Sequence, residues 1–113
     1  VGEEAYEEQD RREHPRYDMV FPVEMEVAIP GSKPLRLKGT TINVSLGGVL
    51  VDLPQTVHTG ARCRVHFQHA VGRISPSKQL GQIRHVRPWK QGRHAVAVEF
   101  REPLEMVKAA GQL

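Results

Sequence analysis

Aromatic residues are scarce: three Phe, two Tyr and one Trp make up 5% of the 113 residues. The interior must therefore be built mainly from Val, Ile, Leu and Met, and since many of these sit in alternating runs, β-structure is favoured. Cysteine is nearly absent, and Cys63 alone excludes an internal disulfide and a four-thiolate zinc site. No apolar run approaches the roughly 18 residues of a membrane span, and no signal-peptide pattern opens the chain. A soluble cytoplasmic module without membrane insertion is the expectation. Repeats and low-complexity segments are also missing. A first residue of Val1 rather than Met fits a fragment of a longer protein with other domains. At this length a single domain with one modest core is expected.

Positive charge is present, and it is unevenly placed. The net charge is +3, but residues 1–10, VGEEAYEEQD, hold five acids and no base, so residues 11–113 carry a net +8. The first ten residues read as an acidic tail, helical or disordered, with too few apolar side chains to bury a face. The remainder suits an anionic partner, or is a solvated surface that is merely basic.

Phe21, Val23, Met25, Val27 and Ile29 alternate with mostly polar neighbours, the period of a half-buried strand. A turn over Pro30 to Pro34 ends it. The next strand starts on Leu35 and Leu37 and continues on Ile42 and Val44, a change of phase that points to a bulge at Gly39. Val49, Val51 and Leu53 form a third strand stopped by Pro54. Ala61, Cys63, Val65 and Phe67 form a fourth, its other face carrying Arg62, Arg64 and His66. After a connection over residues 70–77, strands around Leu80 to Arg87 and Ala95 to Phe100 are joined by PWKQGR, with Gly92 at the turn. Pro103 opens a short helix in which Leu104, Val107 and Met106 pack back on the sheet.

Six short strands punctuated by Gly and Pro predict an all-β fold, a small six-stranded antiparallel β-barrel with a short C-terminal helix, closure removing the exposed edges. The expected division is an acidic tail over 1–10, a barrel with its N-terminal arginine loop over 11–103, and a short helix or tail over 104–113.

Two stretches carry the chemistry. DRREHPRY, from Asp10 to Tyr17, places Arg12 and Arg16 four apart with Arg11 and His14 beside them, and Pro15 disfavours a helix through His14. Extended backbone separates the two arginines by roughly 13 Å, from about 3.3 Å per residue, which suits a ligand with several phosphates. Guanidinium can grip phosphate oxygens, or the O6 and N7 edge of guanine, in pairs. INVSLGG, from Ile42 to Gly48, places Asn43 and Ser45 on one face if Ile42 and Val44 face a core, and an amide and a hydroxyl there can read a base edge. Gly47 and Gly48 would allow a turn with positive φ and keep side chains clear of a ligand.

RxxxR at Arg12 to Arg16, followed by Asn43, Ser45 and Gly48 in the pattern [D/N]xSxxG, resembles the PilZ domain, the bacterial receptor module for cyclic di-GMP. The resemblance covers about residues 10–103 and implies the same barrel. It implies cyclic di-GMP contacts from Arg11, Arg12, Arg16, Asn43, Ser45 and Gly48, with Arg84 on a late strand completing the guanine contacts as in some PilZ domains. The first position of the second motif is commonly Asp in the family, and Asn43 offers a single carbonyl acceptor in its place. An arginine immediately before RxxxR tends to accompany two stacked ligands, so Arg11 implies two molecules per chain.

Other residues have plainer readings. Arg12 and Arg16, taken alone, are surface arginines, and Asn43 and Ser45 are turn formers. Trp89 either stacks on a base or covers the barrel end. Cys63 reads as a small buried hydrophobe. His66 and His69 point to opposite faces, and His85 and His94 approach across the last hairpin as a surface pair, so no metal site is expected. Ser45 lacks the glycine of a nucleophile elbow, and no acid pair suggests acid/base work, so no enzyme is expected.

The reading is a cyclic di-GMP receptor without catalysis or resident cofactor, whose mobile arginine loop closes over the ligand and alters a surface read by an unidentified protein partner or tethered domain. One alternative is a small basic barrel binding single-stranded nucleic acid, which explains the charge but lacks an aromatic stripe. The other is a PilZ-like interaction adaptor that no longer binds nucleotide, against which the intact RxxxR argues.

Overall fold

The computed structural model describes residues 16–67 and 77–102. Within them six strands follow one another: β1 (Pro22–Val27), β2 (Leu35–Ser45), β3 (Gly48–Leu53), β4 (Arg62–Phe67), β5 (Ser77–Pro88) and β6 (His94–Phe100). All neighbours are antiparallel and the sheet closes in the order β1-β2-β3-β6-β5-β4. The fold is thus the six-stranded antiparallel barrel that the alternation implied. The helix expected over 104–113, the acidic tail over 1–10 and most of the connection over 70–77 lie outside the described residues, although β5 already includes Ser77.

The inward phase of each strand builds the core. Val23, Met25 and Val27 from β1, Val49, Val51 and Leu53 from β3, and Cys63, Val65 and Phe67 from β4 are all buried. Ile83 and Val96, Val98 and Phe100 complete it from β5 and β6. All three phenylalanines of the chain are inside: Phe67 lies 5.8 Å from Phe21 and 6.1 Å from Phe100 between ring centroids. Burial pushes the Cys63 thiol up to about 12. The expected first strand overran its end, since Ile29 lies beyond β1 and is exposed, as is Leu80 on β5.

The phase change in β2 falls elsewhere than expected. Leu35, Leu37, Gly39 and Thr41 keep one inward phase, and the register against β3 shifts between Thr41 and Asn43. Ile42 is therefore the extra residue and is only half-buried, while Thr41 takes the inward place. A buried hydroxyl is tolerated because it is bonded at both ends: it accepts from the Phe21 N–H and donates to the Met19 carbonyl. Gly39 serves packing instead, since a Cβ there would stand 2.7 Å from the Asp52 carbonyl oxygen and the Leu53 side chain.

A second bulge lies in β5, where the register shifts between Ile83 and His85 around Arg84. The hairpin after β5 turns through a 3-10 turn, Lys90–Gly92, with positive φ at Gln91 and Gly92. Positive φ also occurs at Gly31 and Gly60 but not at Gly47 or Gly48, so the expected left-handed turn at those glycines is absent. His85 and His94 do not meet either. His85 stands opposite Ala97 and His94 opposite Pro88, three rungs apart.

Candidate functional site

The segment before β1 runs back along β2, and this brings the two motifs together. Beyond Thr40 the β1 register on β2 ends, and the freed edge of β2 is taken up by the chain that precedes β1. The Thr41 N–H donates to the Phe21 carbonyl at 2.9 Å, and Tyr17 and Val44 exchange both backbone hydrogen bonds at 2.8 Å. An antiparallel bridge at Tyr17 and Val44 sets Arg16 beside Ser45. The bulge at Ile42 is what turns Asn43 and Ser45 outward after an inward Thr41.

On the outer wall, two rows of residues cross four strands. Ser45 pairs with Gly48, Gly48 with Glu99, and Glu99 with Gln82; Asn43 pairs with Leu50, Leu50 with Ala97, and Ala97 with His85. Gly48 and Ala97 supply a low floor between taller polar walls. The result is a trough of about 360 Å³ with Arg16, Asn43 and Ser45 on one side and Arg84, His85 and Glu99 on the other. That volume suits a small-molecule site. With neighbouring strands about 4.8 Å apart, the trough spans roughly 10 Å from Ser45 to Glu99.

Gly48 is fixed by close approach: a Cβ there would lie 2.3 Å from the Val98 carbonyl oxygen, so the strand that floors the trough has no room for a side chain. The Ser45 hydroxyl donates to the Gly48 carbonyl at 3.3 Å, a long bond that leaves its oxygen able to accept. Arg84 faces outward as Ile83 faces in, and its Nε lies 3.3 Å from a Glu99 carboxylate oxygen while Nη1 donates to the Gln82 side chain at 3.2 Å. Arg16 and the Asn43 amide have no side-chain partner among the described residues.

Of the sequence-predicted contacts, Arg16, Asn43, Ser45, Gly48 and Arg84 thus line one trough. Arg11 and Arg12 lie outside the described residues. Trp89 stands apart: it follows β5 five residues after Arg84, about 17 Å along a strand, with Lys90 Nζ 5.5 Å from its ring centroid and its backbone N–H donating to the Arg93 carbonyl. His85 and Glu99 were missed. Glu99 was recoverable in part, because Val98 and Phe100 face inward and so turn it out beside Gly48. His85 was not, because the bulge at Arg84 reverses the alternation that would have been used to place it. Among the described residues no three His, Cys, Asp or Glu side chains are grouped to hold a metal, and no helix is long and apolar enough to cross a membrane.

The family described as PilZ domain matches residues 10–110. Among solved structures, the fold is similar to that of a Bacillus subtilis protein described as inhibitor of motility (MotI/DgrA), with a TM-score of 0.62 and 18% sequence identity over 82% of this chain and 43% of that one. At that identity the likeness concerns the fold, and this chain spans less than half of that protein's length. No curated protein matches the chain.

Proposed function

Because the chain belongs to the PilZ domain family, whose members are binding modules for cyclic di-GMP, we propose that it is itself a cyclic di-GMP receptor and performs no catalysis. The observation that carries this reading is the Tyr17–Val44 bridge, which delivers Arg16 of the first motif to Asn43 and Ser45 of the second in one trough with Arg84. Two guanidiniums, an amide and a hydroxyl around a glycine floor are the groups that phosphate oxygens and a guanine edge require. Arg11 and Arg12, shortly before Arg16 in the sequence, add two further cations. Closure of the arginine loop over the ligand changes the charge and shape of this wall, and a partner or tethered domain reads that change. A receptor for an intracellular messenger works in the cytoplasm, where a lone buried thiol such as Cys63 stays reduced.

Calorimetric titration of the purified chain with cyclic di-GMP tests the reading. Saturable binding is expected, with a rise in thermal midpoint. Arg16→Ala and Arg12→Ala should each weaken binding by at least tenfold, since charge-assisted bonds contribute about 1.5–3 kcal/mol each. Arg16 is exposed outside the strands, so its replacement should leave the fold intact. Unchanged affinity in both variants would refute the site.

Stoichiometry follows from Arg11. A stacked pair of ligands gathers four phosphates, and a third guanidinium both offsets that charge and lies flat on an exposed guanine. We expect two ligands per chain, falling to one in Arg11→Leu; a ratio of one for the unaltered chain ends this part of the proposal.

A further inference from the structure

The trough contains a group that phosphate recognition does not call for. Glu99 projects from β6 into the same concavity as Arg16 and Arg84, and a carboxylate there opposes any approaching phosphate. Its ion pair with Arg84 is loosely held, with side chains 61% and 54% exposed respectively, so it is easily rearranged. Glu99 also stands in the row Ser45, Gly48, Glu99, where the missing side chain of Gly48 leaves open floor between a hydroxyl on β2 and a carboxylate on β6. A planar base laid on that floor meets Ser45 at one edge and Glu99 at the other.

The chemistry of that edge selects among bases. Guanine presents two adjacent donors, N1–H and the N2 amino group, and a carboxylate accepts from both at once. Adenine presents an acceptor at N1 instead. Asn43 has one carbonyl oxygen and an amino group that repels donors, so it cannot make the two-acceptor contact alone. We infer that Glu99 reads the N1–H and N2 edge of a guanine in the trough, tethered over the floor by Arg84, and so determines base specificity. This rests on the receptor reading given above.

The test uses the full chain, Glu99→Ala and the isosteric Glu99→Gln, each titrated with cyclic di-GMP, with its inosine analogue lacking the N2 amino group, and with cyclic di-AMP. The unaltered chain should bind the guanine ligand at least tenfold more tightly than the inosine ligand and reject the adenine one. In Glu99→Ala the guanine ligand should lose tenfold or more while the inosine ligand loses little, so that the penalty for the missing amino group shrinks toward unity; Glu99→Gln, with a single acceptor, should fall between. A guanine-to-inosine ratio unaltered by either substitution overturns the inference. So does tighter binding of both ligands in Glu99→Ala, the signature of a carboxylate that merely repels phosphate. A folded, unaltered chain that binds no cyclic di-GMP refutes the receptor reading and this inference with it, a result distinct from the other two. Should Glu99→Ala fail to fold, the Gln variant decides alone by the same ratio.

Discussion

A methyl group added at Gly48 has nowhere to go, because the atom it meets is a backbone oxygen of the neighbouring strand and not the movable end of a side chain. Gly48→Ala should therefore pry β3 from β6 and cost about 1–3 kcal/mol of stability, read as a lower urea midpoint, with weaker ligand binding as a consequence. Arg16→Ala should show the opposite pattern, a loss of binding at unchanged midpoint. Cys63 makes a second prediction. Its thiol ionises near 9.0 when exposed and near 12 when buried, so between those values the unfolded chain has lost a proton that the folded chain keeps. Stability should fall with rising pH across that window by about 1.4 kcal/mol per unit, and Cys63→Ser should flatten the slope. At neutral pH a thiol reagent should modify the chain only at the rate of unfolding. These residues differed in how far the sequence revealed them. Arg16, Asn43 and Ser45 were legible because a spaced pair of motifs singles them out, and Cys63 because the strand period turns it inward. Glu99 belongs to no motif and becomes meaningful only once β3 and β6 are known to be neighbours.

At the scale of elements, the strands were legible and their irregularities only in part. Alternation marked β1, β3, β4 and β6, where Val, Met and Phe recur at every second position of half-buried strands, and β5 was placed between the connection before it and the PWKQGR turn after it. The β2 bulge was expected but placed at Gly39 and not at Ile42, because apolar periodicity cannot anticipate a buried Thr41 whose hydroxyl is satisfied by Phe21 and Met19, residues about twenty positions away, while the bulge at Arg84 was not expected. Both bulges flank the trough, where extra residues re-aim side chains, so the part of the fold that sequence pattern missed is the part that shapes the site. The β5–β6 hairpin was legible through Gly92, but Gln91 was not expected to share its positive φ. Gln91 sits at φ 49°, ψ 51°, with the Arg93 N–H donating to the Lys90 carbonyl at 2.9 Å, a turn that favours Asn-Gly. Gln91→Asn should raise stability by about 0.5–1 kcal/mol, since Asn adopts the left-handed region more readily. The urea midpoint should rise at constant slope, and cyclic di-GMP affinity should not change, because Gln91 lies beyond the end of β5 and does not line the trough.

At the scale of the whole molecule, the barrel must be reconciled with its charge. Cations are spread around the wall: Arg36 and Lys38 on β2, Arg64 on β4 and Lys78 on β5 surround Glu24 and Glu26 on β1, away from the trough that holds Arg16 and Arg84. A surface basic on several sides attracts any polyanion, which is why composition alone left nucleic acid open. The interior placement of all three phenylalanines weighs against it, since it leaves Tyr17 and Trp89 as the exposed aromatics among the described residues, with no track on which successive bases could stack. Binding to single-stranded RNA should then be diffuse and electrostatic. Between 50 and 200 mM salt it should fall by about three-hundredfold if some six phosphates are contacted, and Arg16→Ala should alter it little, one cation among many being removed. Cyclic di-GMP carries two phosphates and releases few counterions, so its affinity should fall by less than about tenfold over the same range, while Arg16→Ala should still cost at least that much at either salt concentration. Parallel salt titrations of the two ligands on both proteins separate a shaped site from a merely basic surface. RNA binding that survives 200 mM salt and collapses in Arg16→Ala would show the trough to be a nucleic-acid site.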